Sequence, residues 1–200
     1  MLSKFLSGVS AGLLISLGGA VYLACENKVV GAVFFSMALL CICFKKYNLY
    51  TGKIGYLFRD RSRDYFATLV LGLFGNVVGT VASAFAVRAA LPKLYEAAKV
   101  LCEAKAEQSF VQTLIRAVFC GVLVYLSVSL FGERGGALAV ILCIPAFILS
   151  GYEHCVADMF YFALGSPTFG AVGFIAICVL GNSLGALILP LLNSAGRKKA

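Results

Sequence analysis

Long uncharged stretches set the pattern of this chain. Phe5 to Cys25 runs for 21 residues without a charge, enough for a helix to cross a hydrocarbon core of about 30 Å. Val29 to Phe44 offers only 16 before Lys45 and Lys46, so a second span is short or interrupted. Tyr65 to Val87 supplies a third span, and Phe110 to Phe131 a fourth with Arg116 in its first two turns. Gly135 to about Ser150 is again short, and a stub from Cys155 to Leu164 completes that fifth crossing. Ser166-Pro167 marks a turn, and Phe169 to Leu192 makes the sixth. The pattern predicts an all-α membrane protein of six transmembrane helices in a single domain over residues 1–200. Leu2 to Ser7 carries one lysine and no small-residue cleavage site, so the first run is read as a retained helix and not a signal peptide.

Polar residues interrupt this pattern at one telling place. Glu153 and the chain's only histidine, His154, follow just after Gly151 and Tyr152, and Asp158 comes four residues after His154. Ionisable groups at membrane depth cost several kcal/mol, so they usually face a cavity or pathway and have a function. A glycine just before them predicts a backbone break, and the combination reads as a transport site.

The chain also repeats itself weakly. GNVVG at Gly75 to Gly79 recurs as GNSLG at Gly181 to Gly185, an offset of 106, and a break near Thr51 matches the one near His154, an offset of 103. Three spans per half place the halves in opposite orientation. The expectation is two inverted three-helix repeats, about 1–100 and about 105–200, with helices 2 and 5 broken and the site where the breaks meet.

Composition agrees, with 61% hydrophobic residues and 13% charge. The net charge of +8 needs no nucleic acid partner. With both termini inside, Lys4, Lys45, Lys46, Lys53, Arg59, Arg61, Arg63, Arg134, Arg197, Lys198 and Lys199 share the cytoplasmic side. Lys28, Arg88, Lys93, Lys99 and Lys105 are left outside, which satisfies the positive-inside rule. The eight cysteines lie mostly in apolar runs without a C-x-x-C pair and read as small buried hydrophobes, so no metal or cofactor is expected. One histidine without H-x-x-x-D, H-E-x-x-H or G-x-S-x-G argues against a membrane enzyme.

The motifs resemble those of the formate/nitrite transporter family. The family's fifth-span signature, G-F-E-H-S-V-A-N-M-F, stands here as Gly151-Tyr152-Glu153-His154-Cys155-Val156-Ala157-Asp158-Met159-Phe160. Its second-span E-L-F-T-G stands as Asn48-Leu49-Tyr50-Thr51-Gly52, its fourth-span C-N-W-L-V as Cys120-Gly121-Val122-Leu123-Val124, and its sixth-span G-N-x-x-G as Gly181-Asn182-Ser183-Leu184-Gly185. Asn48 replaces the usual Glu, Tyr50 the usual Phe, and Gly121 and Asp158 the usual Asn.

The resemblance implies an aquaporin-like protomer in a homopentamer, with one pore per subunit for small monovalent anions of weak acids such as formate, nitrite or hydrosulfide. It implies a plasma (inner) membrane location and, as partners, the anion, protons and the lipid bilayer. The alternative is an aquaporin-like or urea-type facilitator for a neutral solute. His154 is placed between two hydrophobic constrictions, with Thr51 facing it. The constriction residues carry over to Phe35, Leu39, Leu49, Tyr50 and Phe147. Lys105 carries over to an outer vestibule, where it would gather anions, although Lys99, Glu103, Lys105 and Glu107 also read as a solvated helical face. Glu153 holds the break against backbone N–H groups or another helix, and Asn182 joins the pore set. Asp158 either shares a face with His154 and favours imidazolium or bonds backbone at the break. Glycine at 121 would widen the pore.

Overall fold

The computed structural model describes residues 1–134 and 136–197. Gly135, the expected start of the fifth span, lies outside the described residues. So do Lys198 and Lys199 and the side chains of Arg134 and Arg197, all counted on the cytoplasmic side.

The described residues form nine α-helices and no strand. They are α1 (Leu2–Ala24), α2 (Lys28–Lys45), α3 (Tyr50–Lys53), α4 (Arg63–Ala90), α5 (Pro92–Ala106), α6 (Phe110–Arg134), α7 (Ala137–Leu149), α8 (Cys155–Gly165) and α9 (Phe169–Arg197), with a 3₁₀ turn at Ile54–Phe58 after α3. Helices α1, α2, α4, α6 and α9 are long and apolar enough to cross a membrane, while α7 and α8 are shorter apolar helices. The second span is thus longer than its uncharged run, because Lys28 and Lys45 extend α2 at both ends.

Packing is mirrored between the halves. Helix α1 lies on α4 as α6 lies on α9, α1 meets α2 as α6 meets α7, and α2 and α7 meet each other. The two long pairs approach through glycine. A methyl group at Gly75 or Gly79 would strike the α1 backbone at Phe5 or Val9, and one at Gly185 would strike Val118 on α6. Membrane helices associate through such small-residue contacts because lipid supplies no hydrophobic drive between them. Gly121 belongs to the same seam: its Cα faces the Asn182 backbone on α9. Its small size therefore lets two helices touch, and the expected widening of the pore does not follow from it.

Both breaks use one backbone device. Lys46 (φ 55°) and Gly151 (φ 69°) take the left-handed conformation. Tyr47 N–H then donates to Ile42 O and Tyr152 N–H to Phe147 O, each at 3.0 Å. These are the helix-terminating bonds that satisfy otherwise orphaned carbonyls. The offset between the breaks is 105, which pairs Asn48 with Glu153, Leu49 with His154 and Tyr50 with Cys155. His154 therefore has Leu49 as its counterpart, where the sequence pattern had paired it with the region of Thr51.

Helix α5 was legible only as a charged face. It starts at Pro92, buries Leu94, Ala98 and Cys102 at four-residue spacing, and packs against α8. That packing decides where Lys105 ends.

Candidate functional site

Two asparagines hold the breaks from behind. Asn76 on α4 accepts a bond from Tyr50 N–H (2.9 Å) and donates to Asn48 O (3.0 Å) and Gly8 O (2.9 Å). Asn182 on α9 accepts from Cys155 N–H (2.9 Å) and donates to Glu153 O and Ala117 O, both at 2.8 Å. Each is fully buried and saturates the backbone that the break exposes, which a dry interior demands. Asn182, expected among the pore residues, is thus placed as a brace. Asn76 was missed as a site residue although its GNVVG motif was visible.

His154 sits at the N-cap of α8. Its Nδ1 accepts the Ala157 N–H at 3.1 Å, so the ring proton of the neutral form lies on Nε2. That N–H donates to Thr51 Oγ1 at 2.8 Å, which makes the two tips of the broken helices meet side chain to side chain. The imidazole stacks on Phe147 with centroids 5.7 Å apart. Phe147 meets Phe35 edge to face, with centroids at 6.4 Å.

Three cavities share these side chains in series. A vestibule of about 190 Å³ on the α5 side is lined by Lys105, Arg116, Glu153 and Asp158 and ends on Phe35, Phe147 and His154. Those three also line a central space of about 10 Å³, closed on its far side by Leu39 and Leu49. Such a space is at the lower limit for one water molecule. Leu39 and Leu49 in turn floor a second vestibule of about 490 Å³ that carries Lys46, Lys53 and Arg59. Four of the five expected constriction residues thus converge. Tyr50 does not line these three cavities; its hydroxyl is hydrogen-bonded to Ser183 Oγ at 2.8 Å.

The vestibule charges form one cluster. Lys105 Nζ donates to Glu153 Oε2 and lies 3.0 Å from Asp158 Oδ1. Gln108 Nε2 donates to Glu153 Oε1 at 2.7 Å. Glu153 therefore bonds a neighbouring segment, one of the two roles its sequence position allowed. Asp158 has neither expected partner: His154 Nδ1 is already taken by Ala157, and Asp158 Oδ1 goes to Lys105. Its Oδ2 is buried without a hydrogen bond. Lys105 is no free cation, since two carboxylates hold it. Arg116 and Gln108, both absent from the expected site, join it in the vestibule lining. Among the described residues no group of three His, Cys, Asp or Glu side chains is placed to hold a metal.

The chain matches the family model described as formate/nitrite transporter over residues 1–195. It is 29% identical to a formate-nitrite transporter of Plasmodium falciparum over 172 residues, covering 72% of this chain and 56% of that one. It is 24% identical to the formate channel FocA of Haemophilus influenzae over 190 residues, covering 82% and 67%. The chain spans about half the length of the Plasmodium relatives it matches. Among solved structures it is similar to a pentameric formate channel with formate bound, with TM-score 0.82, 19% identity and coverage of 100% and 98%. It is also similar to an FNT family ion channel, with TM-score 0.80, 26% identity and coverage of 94% and 85%.

Proposed function

The chain belongs to the formate/nitrite transporter family, and on that premise we propose that it forms a membrane pore for small monovalent anions of weak acids. The family is one of transporters and not of enzymes. The observation that carries the reading is the series of three cavities, with His154, itself bonded to Thr51, between an aromatic constriction (Phe35, Phe147) and an aliphatic one (Leu39, Leu49). A structural neighbour is described as pentameric, and we extend that assembly to this chain, as a homopentamer of one-domain protomers built from two inverted repeats. We place it in the plasma membrane, and the excess of basic residues on one side supports both termini in the cytoplasm with the Lys105 vestibule outside.

A bare anion entering the central space would shed its hydration into a low dielectric, which is very costly. The neutral acid crosses far more cheaply. His154 meets it as a neutral ring, because a second proton on Nδ1 would point at the Ala157 N–H and break the cap of α8. Such caps contribute about 1 kcal/mol. On this reading the ring keeps its cap and the transported proton comes from the vestibule side. Thr51 accepts from Nε2–H and so fixes the ring that faces the pathway.

The test is flux into proteoliposomes of formate, nitrite, hydrosulfide and acetate, on both sides of about pH 6.5, for wild type, His154→Ala and His154→Asn. Wild type is expected to pass at least one anion faster on the acid side, where more of it is the neutral acid, and the variants to lose flux by roughly tenfold or more at both pH values. Passage of urea or glycerol with no anion flux would overturn the reading in favour of a neutral-solute facilitator.

A further inference from the structure

The Lys105 cluster holds one cation and two carboxylates. Asp158 stands where the family signature has an amide, so its carboxyl is the same shape with different chemistry. Its surroundings come from four sides. Lys105 and the Cys102 thiol face it from α5, Glu153 from the break, Tyr161 from its own helix and Cys178 from α9. Arg116 on α6 and Tyr22 on α1 line the same vestibule. The Lys105 ammonium is shared, and Gln108 serves Glu153 alone. The side chains of Glu153 and Asp158 are only 2% and 1% exposed.

Two carboxylates on one ammonium, away from water, do not both keep their charge cheaply. Glu153 receives two side-chain donors. Asp158 shares the Lys105 ammonium and has beside it only the weak thiol donor of Cys178, and its Oδ2 is buried without a hydrogen bond. A carboxyl oxygen left this way is the one that takes a proton, and a protonated Asp158 reproduces the neutral amide of the family motif.

We propose that Asp158 is a proton carrier: the Lys105–Glu153–Asp158 cluster holds one proton on the Asp158 carboxyl, which lines the vestibule, and delivers it to the anion there. The step balances as the Asp158 O–H bond breaking while an O–H, N–H or S–H bond forms on the anion. The neutral acid moves on, and the resulting carboxylate pairs with Lys105 until hydronium from the adjoining water restores its proton. The inference rests on the anion-pore reading for the transfer step and not for the bound proton.

Two readouts separate these parts. Infrared difference spectra of the protein in vesicles, in light and heavy water at neutral pH, are expected to show a carboxylic-acid C=O band that Asp158→Asn abolishes. Glu153→Gln should abolish it too, because Asp158 then ionises against Lys105 alone. Asp158→Asn keeps the shape of the site, and its assembly is checked by size-exclusion chromatography. In flux, Asp158→Asn is expected to lose roughly tenfold or more at alkaline external pH and to keep its rate at acid pH, where the substrate arrives already protonated. A carboxylic-acid band that survives in Asp158→Asn, or a flux profile superimposable on wild type, overturns the proposal. If wild type passes no anion, the transfer step falls with the function, while loss of the band still establishes the bound proton.

Discussion

The two breaks share a backbone and differ in nearly every side chain. Lys46 and Gly151 turn the chain by the same left-handed conformation, and Asn76 and Asn182 brace the segment after each turn with equivalent bonds. At the next positions the chemistry parts. Asn48 donates to the Lys4 carbonyl at 3.1 Å, whereas Glu153 binds an ammonium. Leu49 closes the central space with an isobutyl group, whereas His154 caps a helix and offers an N–H. A duplicated scaffold thus delivers an apolar gate from one half and a polar tip from the other. Symmetry of the backbone places the site, and asymmetry of the side chains makes it selective.

The largest way to break this comparison is Lys105→Met. Removing the cation leaves Glu153 as an uncompensated buried carboxylate, a loss expected at about 3–5 kcal/mol and read as a fall in the thermal unfolding midpoint in detergent. The first break has no such cluster, and Asn48→Ala should cost only about 1 kcal/mol.

Next come the braces. Asn76→Ala and Asn182→Ala each remove three buried hydrogen bonds. Each is expected to destabilise by about 2–4 kcal/mol in chemical unfolding. A similar loss at both would confirm that the braces are equivalent, and a loss at only one would show that one break stands without its asparagine.

The smallest effect has opposite signs in the two halves. Gly151→Ala forces a side chain into the left-handed region and should cost about 1–2 kcal/mol. Lys46→Gly relieves that strain and should stabilise by about 0.5–1 kcal/mol. Equal signs in the same unfolding assay would show that the turns are not equivalent.

Much of the fold was legible because a membrane imposes simple arithmetic. An uncharged run either reaches about 30 Å or it does not, so Val29–Phe44 and the run ending at Ser150 stood out as short. The motif around His154 located one tip and Thr51 the other. The register between the halves was misread by two residues, since Lys46 does not announce a left-handed turn as glycine does. Tyr50 and Asn182 were grouped with the pore because motif membership does not reveal side-chain direction. Tyr50 points to Ser183, and Asn182 points to the backbone of the break.

By itself the sequence determined the helical spans, the two interruptions and the histidine at one of them, since these follow from hydropathy and local backbone chemistry. Only the tertiary structure decided what Lys105 does. Its partners lie 48 and 53 residues away on elements that meet because α5 packs on α8, and the four-residue spacing of Leu94, Ala98 and Cys102 marks a buried face without naming what covers it. Charge pairing in a dry interior depends on distance and burial, which sequence separation does not report. The free cation expected at the mouth is therefore the centre of a buried cluster with two carboxylates, the second of which is the proposed proton carrier.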